Sequence, residues 1–162
     1  MKAKISLAAI VMAGFILFAS CGSTSSSSKS TTSTASTAQA QAYNTGSAVG
    51  TSLLGLYQQY KTTKTLDFKN ANTYLQLLTL ATQVTTVKQN YKNPTFYSQF
   101  ALGAISGSQQ TVNQSNVSGV INALAGLNLS GITSAGSGSN VSSSTATTVL
   151  NSLSSIFSLF GK

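Results

Sequence analysis

From residue 46 onward apolar residues recur every three or four positions in several separate stretches, and the segment holds a single proline. That spacing puts side chains on one face of an α-helix. Val49, Leu53, Leu56, Tyr57 and Tyr60 form one stripe and predict a helix from about Gly46 to Thr62. Tyr74, Leu77, Leu78, Ala81, Val84 and Val87 form a second, reaching to about Asn90, with Leu75 and Leu80 widening its face. A wide apolar face predicts the most buried helix. Either Asp67 or Asn70 supplies its N-cap.

Asn93-Pro94 marks the next start, since asparagine caps and proline suits the first helical position. Phe96, Tyr97, Phe100, Ala101, Ala104 and Ile105 follow, and Gly107 either ends this helix or thins it. Ser115 or Asn116 opens a shorter helix with Val117, Val120, Ile121 and Leu124, closed by Gly126. Residues Ser130 to Ser142 are Gly-, Ser- and Asn-rich and read as a loop. The last stripe is Val149, Leu150, Leu153, Ile156, Phe157 and Phe160, ending at Gly161. No alternating strand pattern competes. The expectation is an all-α fold, a small bundle of about five helices over residues 46–162. Its first three helices are joined by short turns and are expected to be antiparallel neighbours. Gly46 and Gly50, like Gly103 and Gly107, stand four apart. In a membrane helix that spacing marks close contact. These segments are too short and polar to span, so they predict tight helix crossing inside the bundle.

Ahead of the bundle lies a different kind of sequence. Lys2 and Lys4 precede an apolar run from Ile5 to Phe18, shorter than the ~20 residues a spanning helix needs and suited to an export signal. Ala19 and Ser20 are small, and Cys21 is the chain's one cysteine. Leu17-Phe18-Ala19-Ser20-Cys21 resembles the lipobox of bacterial lipoprotein precursors, with Phe18 where leucine is commonest. The resemblance covers residues 1–22. It implies cleavage between Ser20 and Cys21, a diacylglyceryl thioether on Cys21 and acylation of its amino group. A cysteine with two or more lipid chains anchors stably where one chain is marginal. Gly22 follows in place of an aspartate, which points to the outer membrane, and no acid follows to send the protein outward, which points to the periplasmic face. Residues 21–45 then form the expected tether. Thirteen of the fifteen residues from Ser23 to Thr37 are Ser or Thr, too little apolar surface to offset the entropy of ordering.

The charge inventory excludes more than it suggests. There are nine basic residues, all lysine, one acid, Asp67, and no histidine. Once the signal leaves, seven lysines face one aspartate. Arginine, the usual reader and stacker of bases, is absent, so nucleic acid is not an expected partner. The lysines are expected to solvate a neutral surface; attraction to acidic headgroups or anionic glycans is the alternative. Paired carboxylates do not exist here, and no serine has a histidine to activate it. Ser26-x-x-Lys29 sits in the Ser-rich tract, where that spacing arises by chance. Without His or a second Cys, no metal or other cofactor is expected. Four Asn-x-Ser matches, at Asn113, Asn116, Asn128 and Asn140, carry no meaning in such a lipoprotein. No catalytic residue is assigned, and the chain is not expected to be an enzyme.

Two functions follow. The first is a structural or interaction module of the cell envelope, held to the membrane through Cys21 and meeting an envelope protein or itself. The second is a helical binding module for a small apolar or glycan ligand. Tyr57, Tyr60, Tyr74, Phe96, Tyr97 and Phe100 are the candidate surface for either, although aromatics at helical spacing are more often core. Residues 145–160 are expected to pack on the bundle, with a membrane-surface helix as the alternative.

Overall fold

A computed structural model of the chain describes residues 32–160. The signal, Ser20, Cys21 and the Ser/Thr tract as far as residue 31 lie outside the described residues, as do Gly161 and Lys162. The all-α expectation is met, with six α-helices and no strand among the described residues. They are α1 (Thr32–Thr63), α2 (Ala71–Asn90), α3 (Pro94–Gly107), α4 (Val117–Gly126), α5 (Ser130–Ala135) and α6 (Ser143–Phe157), with a 3-10 turn at Gly138–Asn140.

Two boundaries differ from the sequence reading. The first helix starts at Thr32 and not near Gly46. Ala38-Gln39-Ala40-Gln41-Ala42 explains it: these are strong helix formers, and Ala42 is buried. The 130–142 segment is also not a plain loop. Ile132 is fully buried and holds α5 against α2, and Val141 packs half-buried on the core. The side chain of Asn128 accepts from the Ser130 amide and hydroxyl at the start of α5, and Gly136, at φ 66°, ends it in the left-handed region.

The caps mostly follow the sequence. Asn70 accepts from the amides of Asn72 and Thr73, and Asn93 from those of Thr95 and Phe96, with Pro94 opening α3. Asn116 opens α4 without capping it. Its side chain instead accepts the Asn113 amide at 2.8 Å and donates to the Leu159 carbonyl at 2.7 Å, tying the loop before α4 to the chain's C-terminal turn. Asn116 is buried, so Asn116→Ala would strand both partners; we expect a loss of about 2 kcal/mol, read by urea denaturation.

The packing order corrects the third expectation. α1 and α2 are antiparallel: Thr73 donates to Gln59 at 2.9 Å, and Gly55 faces Gln76. α3, however, packs chiefly on α1 and hardly on α2, and it runs parallel to α1. The glycines decide this. Gly46 lies against Phe100 and Ala104, Gly50 against Ala104 and Ser108, Gly103 against Tyr43 and Ser47, and Gly107 against Ser47. Every neighbour in that set is backbone. Residue numbers rise together on both helices, so the two backbones touch in parallel over two turns. Thr51 seals the crossing by donating its hydroxyl to the Gly107 carbonyl at 3.2 Å. The predicted close crossing is therefore present, and it joins the two glycine pairs to each other.

α4 completes the core by contacting α2, α3 and α6. Leu53, Leu56, Leu77, Leu80, Phe100, Ile121, Leu124, Leu153 and Ile156 are all essentially inaccessible. On α6, Val149, Leu153, Ile156 and Phe157 are buried, and in the turn after it Phe160 is buried and Leu159 half-buried, so the apolar face of this helix is turned to the bundle.

Candidate functional site

The six aromatic residues singled out from the sequence do not form one surface. Phe100 is fully buried and stacks on Phe96 with ring centroids 5.6 Å apart. Those two belong to the core and its edge. Tyr74 packs half-buried at the start of α2 and donates its hydroxyl to the Ile132 carbonyl at 3.2 Å, which pins α5. Tyr97 lines a separate recess of about 300 Å³ between α3 and α4, beside the exposed Leu102.

Tyr57 and Tyr60 remain, and the structure gives them partners from the far end of the sequence. Tyr57 lies 5.6 Å from Phe157 and 4.9 Å from Phe160, ring centroid to centroid; Tyr60 lies 5.2 Å from Phe157. Phe157 and Phe160 meet each other at 5.8 Å. Tilted and edge-on contacts at these distances are favourable beyond the area they bury. Bulky rings also hold helices further apart than leucines would. Between α1 and α6 they leave a groove of about 270 Å³, walled by Tyr57, Tyr60 and Phe157, with Lys61 and Lys64 on the α1 side and Ser154 and Ser158 on the α6 side.

Local geometry fixes each wall. Tyr57, Tyr60, Lys61 and Lys64 stand at i, i+3, i+4 and i+7, one face of the last two turns of α1. Lys64 ends that helix with its amide on the Tyr60 carbonyl at 2.8 Å and a φ of 58°. This left-handed position is the usual place of glycine, and a side chain there is strained. The Lys64 ammonium sits 5.9 Å from the Tyr60 ring centroid, within cation–π range. Neither lysine has an ion-pair partner among the described residues, and the one acidic side chain, Asp67, accepts from the Lys69 amide at 3.0 Å. Ser154 and Ser158 donate their hydroxyls to their own helix, to Asn151 and Ser155, and keep acceptor capacity. The hydroxyls of Tyr57 and Tyr60 have no partner among the described residues.

The groove thus offers aromatic faces, two cations and four oxygens. It has no base, acid pair or metal-ligand cluster; groups of three or more His, Cys, Asp or Glu are absent among the described residues. Sequence reasoning named its two tyrosines and missed Lys61, Lys64, Phe157 and the two serines. The Tyr-x-x-Tyr-Lys-x-x-Lys spacing was visible. Which helix would face it was not.

No family model, curated protein or solved structure gives a significant match to the chain. No helix among the described residues is long and apolar enough to cross a membrane.

Proposed function

We propose that the chain is a lipid-anchored protein of the bacterial cell envelope, outer membrane and periplasmic side, whose helical domain is a non-catalytic interaction module. The observation that carries this reading is Cys21, the chain's one cysteine, placed after an export-type apolar run and two small residues. With no histidine, no glutamate and one aspartate in 162 residues, the chain lacks the usual means of proton transfer or metal chemistry. Its partner is an envelope protein or a second copy of itself. Nucleic acid is not a partner, and no cofactor is required.

Mass spectrometry of the mature N-terminus, with membrane fractionation, tests the anchor. A chain starting at Cys21 and carrying about two to three acyl chains is expected in the membrane fraction. Cys21→Ser should move the protein out of that fraction. An N-terminus at Met1, or an unmodified Cys21, would sink the proposal.

The groove between α1 and α6 favours a second reading, in which the domain binds a small glycan-type ligand. Phe96 and Phe100 play no part in it, since they face the core. Tyr57 and Tyr60 carry it, because both line an open recess together with Lys61 and Lys64, which have no ion-pair partner among the described residues.

A further inference from the structure

The geometry points to an acidic sugar, a carboxylate-bearing pyranose within a glycan, as the ligand of the Tyr57–Phe157 groove; this rests on the binding reading above and adds the ligand's charge and class.

Three features of the groove agree on that chemistry. First, its walls are aromatic. Tyr57 and Tyr60 pack against Phe157 and Phe160 and line the groove half-buried, with ring surface left to a ligand. The axial C–H face of a pyranose is flat and weakly positive, and it suits the electron-rich face of a tyrosine. Second, the hydrogen-bonding groups are hydroxyls, not amides or charged acceptors. The phenols of Tyr57 and Tyr60 have no partner among the described residues, and the Ser154 and Ser158 oxygens can still accept. Hydroxyls pair with sugar hydroxyls in either direction. Third, Lys61 and Lys64 sit at one rim with no counter-ion among the described residues. A cation near a helix C-terminus is ordinary, since it complements the helix dipole. Two cations one turn apart repel each other, and a carboxylate between them relieves that. Lys64 also holds its ammonium near Tyr60 from a backbone position where glycine would be unstrained.

The other recesses do not match. The larger one between α1 and α2, about 480 Å³, is lined by Gln41, Asn44, Gln83 and their neighbours and has neither ring nor charge. The one beside Tyr97 has a ring and an exposed leucine but no cation. At about 270 Å³ the chosen groove is at the small end for ligand pockets, which suits one sugar of a longer chain.

Amide NMR of the full chain in neutral detergent tests this, with tri-galacturonate as the probe and maltotriose, inorganic phosphate and acetate as comparators. We expect saturable shifts confined to Tyr57–Lys64 and Ser154–Ser158, with tri-galacturonate binding about fivefold or more tighter than maltotriose at low salt. The double variant Lys61→Gln/Lys64→Gln, both exposed, should keep the fold and erase that difference. Tyr60→Leu should weaken both sugars. Lys64→Gly should weaken the uronate while leaving the thermal midpoint unchanged or higher. Equal binding of maltotriose would overturn the acidic assignment and leave the binding reading standing. Phosphate or acetate matching the uronate would reduce the site to an ion site and overturn the sugar. No shift with any probe would overturn both readings, and the anchor would still stand on its own test.

Discussion

Replacing Gly103 by alanine is expected to cost about 3 kcal/mol, more than a single added methyl normally costs in a core. A Cβ at that position would lie 2.8 Å from the Ser47 nitrogen and closer still to the Tyr43 carbonyl oxygen. Both are backbone atoms of α1, so no side-chain rotation makes room. The helices must separate, which also breaks the fit of Gly46, Gly50 and Gly107 and lengthens the Thr51 hydrogen bond. Ordinarily Gly→Ala within a helix gains about 0.5–1 kcal/mol through propensity and unfolded-state entropy. Gly126→Ala, at the last residue of α4 with nothing within 4 Å, is the matching control and should be neutral or mildly stabilising. Urea melts of the two variants, with m-values compared, separate these outcomes. A loss below about 1 kcal/mol for Gly103→Ala would show that α1 and α3 are not in backbone contact.

Phe100→Ala is the second large effect, at about 4 kcal/mol. The ring is wholly inaccessible and stacked on Phe96, and α3 lies over α1 at that level, so little can collapse into the space. Domains of this size are stable by roughly 5–15 kcal/mol, so the variant should unfold far earlier in urea or fail to fold. Tyr97→Ala, three residues away, should cost about 1 kcal/mol or less, because Tyr97 is half-buried and its hydroxyl makes no bond to protein. The contrast matters for function. If Tyr97 proved as costly as Phe100, the recess between α3 and α4 would be closed, not open.

Helix identity was legible in the sequence because apolar spacing records burial directly. Asn70 and Asn93 with Pro94 marked helix starts because capping is local chemistry. The early start of α1 was missed since Ser/Thr composition masked the Ala-Gln run behind it. α5 was missed because it rests on a single buried side chain, Ile132, which has no period to display. Neighbour relations were the least legible. Short turns suggested α3 beside α2, yet two glycine pairs in α1 and α3 let backbones touch, and that contact outweighed chain proximity. The groove suffered in the same way. Its α1 wall has a helical period from Tyr57 to Lys64, but its α6 wall comes from about a hundred residues later. Nothing in the spacing of Phe157 and Phe160 says that they meet tyrosines and not leucines.

The long first helix has a mechanical consequence. Its 32 residues span about 48 Å. Cys21 lies eleven residues before it, a separation of at most about 40 Å even at full extension. If Cys21 carries the proposed lipid, a pull at the membrane would enter the protein through the N-terminus of α1. That helix is no detachable leader: from Tyr43 to Thr51 it is interlocked, backbone to backbone, with α3. A load along it would be borne in shear by the glycine crossing and by α2 together, and not by peeling one turn at a time. The lysine-rimmed groove sits at the opposite end of the same rod, so a partner held there and a lipid held at Cys21 would draw on one continuous strut.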